Sequence, residues 1–111
     1  MKLKLVELEV GDLYLTSANQ YRVVLAIKGE FMIYVPSIEG AEILNKTSSK
    51  MPFYNQPFKK CQIITFAKKD YQTFEFNSTE AIKHRLNESQ FEEAIAQCNA
   101  KSAINALLAV N

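Results

Sequence analysis

The sequence predicts an α+β fold, in which a small, curved antiparallel sheet or partly open barrel over residues 1–76 precedes two or three short helices. Three observations predict this fold. Apolar and polar residues alternate with a period of two on both sides of Gly29, which is typical of a β-hairpin. From Asn77 onward the apolar spacing becomes that of helices. The 111 residues, 48% hydrophobic and 23% charged, have the composition of one folded domain.

The first strand is predicted over residues 3–10, which are sufficiently apolar and β-branched. The apolar parity shifts between Leu5 and Val6, which indicates a bulge or a strand buried on both faces. Gly11-Asp12 then interrupts the chain before a second strand over residues 13–16.

A hairpin is predicted over residues 21–35, and a further pair of strands over residues 61–66 and 71–76. Five or six short strands in succession favour a small bent sheet or a partly open barrel. The run from Val10 to Tyr14, followed by the hairpin, resembles the opening of SH3-like small barrels. The resemblance covers about a quarter of the chain, and it implies a fold without carrying over any functional residue.

Helices are predicted in the last third. Residues 77–80 can cap a helix that reaches Leu86, and Asn87 suits a helix end because Asn tolerates left-handed backbone. Ser89, with Glu92 three residues later, forms a capping box for the next helix.

The C-terminal part has two apolar faces if it is one straight helix, because the apolar residues before and after Asn99 lie on nearly opposite sides. Either the chain bends near Asn99, with Ser102 capping a third helix, or one helix packs both on its own sheet and on a partner. In the second case its exposed apolar face marks an interface with another protein or with a second copy. In the first it closes the core of its own domain. The residues concerned are Ile104, Leu107 and Leu108.

Length and composition exclude several classes. The chain, residues 1–111, is too short for two domains. It contains no run of about 18 apolar residues and no signal peptide, so we expect a cytoplasmic protein that binds no membrane. Cys61 and Cys98 are far apart and accompanied by one His, which predicts reduced thiols or, alternatively, one disulfide, and no metal site.

No catalytic signature is present, because GxGxxG, P-loop, GxSxG and HExxH patterns are all missing from the sequence. His84 lies between two cations with no nucleophile of recognisable context nearby. Glu88 and Glu92 share a helix face near a helix start, where negative charge is favourable anyway. We therefore expect a protein that is not an enzyme and takes no cofactor.

The net charge of +1 is unevenly distributed. Residues 1–45 hold four basic and six acidic groups (−2), residues 46–71 six and one (+5), and residues 72–111 three and five (−2). The middle segment mixes lysines with aromatic residues, as single-stranded nucleic acid binding requires. It lacks Arg, however, and loop lysines are typical of solvated surface. The candidate nucleic-acid-binding residues are Lys50, Lys59, Lys60, Lys68, Lys69 and Tyr71.

The stretch from Asn45 to Lys60 has the length of a functional loop, and two prolines stiffen it. It carries residue types that are enriched in interface cores. Alternatively, its phenylalanines fold back as a lid on the sheet. The candidate partner-binding residues of this loop are Met51, Phe53, Tyr54 and Phe58.

We therefore expect a small protein-binding module of the inhibitor or adaptor type, which occupies a surface on a larger partner through this loop and the C-terminal helix. The alternative is a nucleic-acid-binding small barrel that uses the segment 46–71. Size, Lys and Asn usage and the lack of cofactor motifs are similar to those of small inhibitor or adaptor proteins of phages and mobile elements.

Overall fold

The computed structural model describes residues 1–37, 53 and 57–109, and in them the chain has an α+β architecture. It combines a six-stranded antiparallel sheet, a separate two-stranded sheet and C-terminal helices. The predicted fold class is confirmed, with an open rather than a closed sheet. The strands are β1 (Asp12–Thr16), β2 (Tyr21–Lys28), β3 (Phe31–Ser37), β4 (Lys59–Gln62), β5 (Tyr71–Gln72), β6 (Phe74–Phe76), β7 (Thr79–Ala81) and β8 (Lys83–Arg85). The helices are α1 (Ile63–Ala67), α2 (Glu88–Cys98), α3 (Lys101–Leu108) and a 3-10 helix (Leu5–Glu7).

The strand order places β4 at one edge of the large sheet. The order is β4-β3-β2-β1-β5, β8 also pairs with β1, and every pair is antiparallel. At the opposite edge two short strands share β1, since Leu15 pairs with Gln72 of β5 and Leu13 with His84 of β8. Among the described strands, β4 has only β3 as a neighbour.

The predicted hairpin is confirmed as β2 and β3, which the two-residue loop Gly29–Glu30 connects. Gly29 has a φ of +62°, a left-handed conformation that tight hairpin loops use and that a side chain would strain. A bulge in β2 then turns the neighbours Leu25 and Ala26 toward the same core.

One hydrophobic core lies between the sheet and the two C-terminal helices, and we call it the helix-side core. Alternate residues of β1, β2 and β3 face it, as the period of a strand requires. Phe53 is buried in it, and the Phe53 N–H donates a hydrogen bond of 2.9 Å to Oε1 of Gln97 in α2. Its other buried residues are Leu13, Leu15, Val23, Leu25, Ala26, Ile33, Val35, Phe74, Phe76, Leu86, Ala94, Cys98, Ala100, Ile104 and Leu107.

The opposite face of the sheet carries a second core, the α1-side core, which the N-terminal segment and α1 cover. The rings of Tyr14, Tyr34 and Tyr71 have centroids 5.1 to 5.8 Å from that of Phe66 in α1. The Arg22 guanidinium lies 4.7 Å from the Tyr34 ring centroid and 5.6 Å from that of Phe66. The central strands are therefore buried on both faces.

The strand predicted from Leu3 to Val10 is wrong, because the 3-10 helix Leu5–Glu7 forms within this segment. Leu8 N–H donates to the Leu5 carbonyl at 3.3 Å, which closes the turn. Leu3 and Leu8 both contact the α1-side core. The shift in apolar parity thus marks a turn between two anchored residues.

The strands predicted over residues 61–66 and 71–76 hold only in part. β4 ends at Gln62 and α1 follows at once, since a short apolar run can be buried as a helix as well as a strand. The second strand is interrupted at Thr73, and β6 pairs with β7 in the separate sheet.

The helix predicted from residue 77 to Leu86 is wrong, because the chain forms the hairpin β6–β7 and then β8. Asn77 and Ser78 have φ values of 52° and 65°, and Phe76 pairs with the residue that follows them. Two successive left-handed residues form the kind of loop that matches strand twist. Asn favours such a loop as much as it favours a helix cap.

The cap predicted for the second helix, Ser89, lies two residues after the cap that forms, Asn87. Asn87, predicted as a helix end, instead begins α2, and Gln90 N–H donates to its Oδ1 at 2.8 Å. In return Asn87 N–H donates to Oε1 of Gln90 at 3.0 Å. This reciprocal pair replaces the predicted capping box of Ser89 and Glu92.

Of the two alternatives for the C-terminal part, the structure shows the bend near Asn99. Asn99 adopts φ 57° and ψ 43°, the left-handed conformation that ends α2. Helix α3 begins at Lys101, and its N-cap residue is Ala100, which provides no side-chain cap, so the cap predicted at Ser102 is wrong. The two apolar faces thus belong to two helices that share the helix-side core.

The predicted loop from Asn45 to Lys60 falls mostly outside the described residues, which include only residues 53 and 57–60 of it. In the described ranges, no helix has the length and apolar character that crossing a membrane requires.

Candidate functional site

A groove of about 370 Å³ opens at the tip of the β2–β3 hairpin, and we call it the hairpin-tip groove. Two of its apolar side chains, Leu5 and Ile64, are 50% and 58% exposed. Val6, which follows Leu5, is 90% exposed. Large apolar side chains exposed around a concavity are typical of binding surfaces. The groove is lined by Leu5, Gly29, Glu30, Gln62, Ile63 and Ile64.

The N-terminal segment keeps Leu5 and Val6 at the surface because it is fixed on both sides of them. Leu3 N–H donates to the Ala67 carbonyl at 3.0 Å, and Leu8 is buried in the α1-side core. The 3-10 turn lies between these two attachments, so its apolar side chains remain exposed without loosening the segment.

Helix α1 connects the groove to the hairpin. Ile63 N–H donates to the Glu30 carbonyl at 2.8 Å, which fixes the first residue of α1 to the loop between β2 and β3. Phe66 is buried in the α1-side core. Residues two positions apart lie on nearly opposite sides of a helix, so burial of Phe66 turns Ile64 outward.

The outer edge of β4 presents backbone groups to one side of the groove. In an antiparallel ladder, pairs that exchange hydrogen bonds alternate with pairs whose backbone groups point away from each other. Lys28 and Phe31 flank the two-residue loop and form a hydrogen-bonded pair, so the backbone N–H and C=O of Phe31 point toward β2. On its other side Phe31 pairs with Gln62, and the backbone groups of these two residues therefore point away from each other. Lys60, two residues along, has the same orientation. The N–H groups of Lys60 and Gln62 therefore point away from β3.

Lys59 and Lys60 give this edge a positive charge. Both side chains are exposed, and within the described residues no carboxylate forms an ion pair with either. The Lys60 Nζ lies 5.3 Å from the ring centroid of Phe31, which is itself exposed. One end of the sheet thus combines apolar surface, positive charge and outward backbone donors.

The structure places most of the predicted partner-binding residues in or against the helix-side core. Leu108 differs from them, because it is 48% exposed on α3. Burial of the loop phenylalanines agrees with the alternative in which they fold back as a lid. Met51 and Tyr54 lie outside the described residues. The residues in or against the core are Phe53, Phe58, Ile104 and Leu107.

The predicted nucleic-acid-binding residues separate into exposed lysines and a buried ring. Tyr71 is 1% exposed, so its ring faces are not available to stack on a base. Lys50 lies outside the described residues. The lysines that the structure places at the surface are Lys59, Lys60, Lys68 and Lys69.

Tyr71 links α1 to the sheet through its hydroxyl. The hydroxyl donates to the Phe66 carbonyl at 2.7 Å, and Nη1 of Arg22 donates to the hydroxyl oxygen at 3.3 Å. Burial raises the pKa of Tyr71 to about 12, although the Arg22 charge opposes this. The residue therefore acts as a neutral structural donor.

The stability of the fold should fall as the pH rises from about 10 to about 12. Below this range Tyr71 is protonated in both states, whereas within it the unfolded chain releases a proton that the folded chain retains. Denaturant titrations at several pH values, with tyrosinate absorbance, measure this effect. Tyr71→Phe should reduce the slope of stability against pH, and an unchanged slope would contradict the assignment.

A second charged cluster joins β8 to β1. Asp12 is buried, and its Oδ2 accepts a hydrogen bond of 2.9 Å from Lys83 Nζ. Nη2 of Arg85 lies 3.5 Å from Oδ1 of Asp12, and Arg85 also pairs with Glu9. Cations and carboxylates neutralise one another here, which is the arrangement of a structural ion-pair network.

The two cysteines lie in different cores, on opposite faces of the sheet. Cys61 contacts the α1-side core and Cys98 belongs to the helix-side core, and both are free thiols. Burial raises the pKa of each thiol, which keeps it protonated. Within the described ranges, no three His, Cys, Asp or Glu side chains are grouped so as to hold a metal ion.

Sequence reasoning missed the exposed apolar residues Leu5, Val6 and Ile64. The available signal was the parity shift between Leu5 and Val6, but both interpretations of it, a bulge and a strand buried on both faces, placed these residues in the sheet. Ile64 lies inside an apolar run, where pattern does not reveal which residue turns outward until the helix is recognised.

No protein-family model matches the chain, and no curated protein and no solved structure matches it. Its function is therefore inferred from its own residues and their geometry.

Proposed function

We propose that the protein is a non-enzymatic protein-binding module and that the hairpin-tip groove is its binding surface. The observation that carries this proposal is the half-exposure of Leu5 and Ile64 around one concavity, beside the exposed Val6. Covering apolar side chains contributes about 25 cal/mol per Å² removed from water, so a partner that fills the groove gains from each of them. The module would act by occupying a surface of its partner.

The occupant that fits the groove is an apolar side chain on a short segment of another protein. A volume of about 370 Å³ is near the lower limit of small-ligand sites, about 300 Å³, and suits one or two large side chains. Glu30 and Gln62 supply polar groups at the rim that can orient the backbone of the segment.

A second copy of the chain fits the same surface less well. A two-fold contact centred on this end of the sheet would bring Lys59 and Lys60 of one copy toward those of the other, at a cost in repulsion. Nucleic acid is also less favoured, since Phe66 and Tyr71 are buried and leave the exposed lysines without these rings.

The proposal predicts that Ile64→Glu weakens peptide binding at least about tenfold, or about 1.4 kcal/mol. A phage-displayed library of random peptides is selected against the full chain, and enriched peptides are synthesised and titrated by fluorescence anisotropy. Ile64→Glu introduces a charge into the apolar wall of the groove, which an apolar peptide side chain must then desolvate.

Leu108→Glu is the matched control, because Leu108 is exposed to a similar degree on α3. It should bind the peptides as the unaltered chain does, and melting curves check that both variants fold. Leu5→Ser serves as a second groove variant. Peptides that lose binding to Leu108→Glu but not to the groove variants would contradict the proposal, as would a selection that enriches none.

A labelled single-stranded oligonucleotide tests the nucleic-acid alternative. The proposal predicts no binding even at about 50 mM salt, where phosphate contacts are strongest. Tight binding that falls steeply with added salt, together with failure of the peptide selection, would favour the alternative instead.

A further inference from the structure

We infer that the partner segment is an extended, acidic strand that pairs with the outer edge of β4 and places an apolar side chain in the hairpin-tip groove. This inference rests on the proposed function and names the chemistry of the partner. Addition of a strand to an exposed sheet edge is an established mode of peptide recognition, in which the backbone supplies affinity and side-chain pockets supply specificity.

The backbone of β4 is oriented for such pairing. The N–H groups of Lys60 and Gln62 point away from β3, as the alternation of the ladder requires. Among the described strands none pairs with β4 on that side. An incoming strand can therefore accept hydrogen bonds from both positions, each contributing about 0.5–1.5 kcal/mol.

The charges on this edge select the partner. Lys59 and Lys60 side chains lie on opposite faces of the strand, so the edge is positive whichever face a partner side chain approaches. Lysines at an edge disfavour pairing with an identical edge, because like charges then lie across from one another. The same lysines attract an acidic strand. The edge therefore disfavours self-association and favours pairing with a strand of opposite charge.

The spacing between charge and groove defines the segment further. Ile63, which lines the groove, lies three residues after Lys60, or about 10 Å at ~3.4 Å per residue of strand. Glu30 lies at the groove end of β4, away from the lysines, and disfavours acids there. The segment therefore has acidic residues at one end and apolar residues about three positions away.

Phosphate groups of a nucleic acid can accept hydrogen bonds from the lysines and from backbone N–H groups, but they offer no donor to the outward carbonyl of Lys60 and no apolar group to the groove. A peptide matches the charge, the N–H groups and the apolar groove together. Nucleic acid binding is therefore an outcome that the experiment must detect as a contradiction.

The test uses the labelled peptide Thr-Glu-Glu-Thr-Thr-Leu-Leu-Thr and its reverse, Thr-Leu-Leu-Thr-Thr-Glu-Glu-Thr, titrated against the full chain by fluorescence anisotropy. The incoming strand can run parallel or antiparallel to β4, so binding of either peptide supports the inference. The same peptide with lysines in place of the glutamates should bind at least about tenfold more weakly, through like-charge repulsion.

Backbone methylation supplies the readout that is specific to a strand. Two versions of the binding peptide are made, each N-methylated at alternate residues. Only every second N–H of a strand faces its neighbour, so one version should lose binding at least about tenfold and the other should retain it. A peptide held by side chains alone would show no such alternation.

Lys60→Pro and Lys60→Ala form the matched pair of protein variants. Both remove the charge, but only proline removes the outward N–H, and this N–H takes no part in the pairing with β3. Lys60→Pro should therefore bind at least about threefold more weakly than Lys60→Ala, the loss expected for one hydrogen bond. Circular dichroism checks that both variants fold.

Binding in the hairpin-tip groove and strand addition at β4 are tested separately. Equal binding of both methylated versions, or of the lysine peptide, would overturn strand addition, while peptides that still depend on Ile64 would preserve the groove. Binding that is unaffected by Ile64→Glu but sensitive to Lys60→Pro would overturn the groove and preserve the strand. An oligonucleotide that binds where neither peptide does would overturn both.

Discussion

Replacing Phe53 with alanine is expected to lower the free energy of unfolding by about 3–5 kcal/mol. Phe53 is 1% exposed in the helix-side core, and its backbone N–H is bonded to Gln97 of α2. Removing the ring leaves a cavity between the sheet and the helices, which the neighbouring strands cannot collapse to fill. Denaturant titration followed by circular dichroism measures the loss.

Phe31→Ala is the control for this prediction, because Phe31 is exposed at the hairpin tip. Its substitution should change the free energy of unfolding by no more than about 0.5 kcal/mol. If Phe53→Ala lowers the free energy of unfolding by less than about 1 kcal/mol, the burial of Phe53 is contradicted, and the result favours Phe53 as an exposed binding residue. The same measurement thus separates the lid interpretation of the loop from the binding interpretation.

Replacing Phe66 with alanine is expected to cost a similar amount, about 3–5 kcal/mol. Its ring lies among those of Tyr14, Tyr34 and Tyr71 in the α1-side core, and the Arg22 guanidinium lies 5.6 Å from its centroid. Aromatic pairs contribute about 0.5–1.5 kcal/mol beyond the area that they bury, so the loss exceeds that of an isolated apolar side chain.

Phe66→Leu retains most of the apolar volume and should cost less than Phe66→Ala. Phe66 attaches α1, which carries Ile64, to the α1-side core. The Phe66→Ala variant should therefore also show faster amide hydrogen exchange in α1 than in α3. Equal acceleration in both helices would indicate that α1 does not depend on Phe66 for its position, and would contradict this account of how the groove is held.

The parts of the fold that the sequence predicted correctly are those in which a local signal has one physical solution. The alternation around Gly29 predicts the β2–β3 hairpin because both strands have a parity that only a strand satisfies. At Asn99 the sequence left two alternatives, a bend or one helix with two apolar faces, and the left-handed conformation of Asn99 shows that the chain bends.

The errors occurred where one local signal fits two structures. Asn77 and Ser78 suit a helix cap and a tight hairpin loop equally, and the chain forms the hairpin, after which β8 pairs with the distant strand β1. The apolar run at Ile63 similarly fits a strand or a helix, and in the helix that forms, Phe66 and Ala67 are buried in the α1-side core.

The candidate site depended even more on such distant contacts. Its residues come from three places that are far apart in sequence: the N-terminal segment, the hairpin loop, and the junction of β4 with α1. The charge asymmetry did identify Lys59 and Lys60, which lie on the edge strand next to the groove. The aromatic residues of the same segment suggested a binding loop, but Phe53, Phe66 and Tyr71 are all buried and stabilise the two cores.

The measurement that tests the binding surface most directly is a nuclear magnetic resonance titration of the isotope-labelled full chain with a selected peptide. The account predicts that backbone shift changes concentrate at residues 5–6, 29–31 and 59–64, which carry the groove and the β4 edge. Changes concentrated on α3 around Leu108, with the groove residues unaffected, would contradict it.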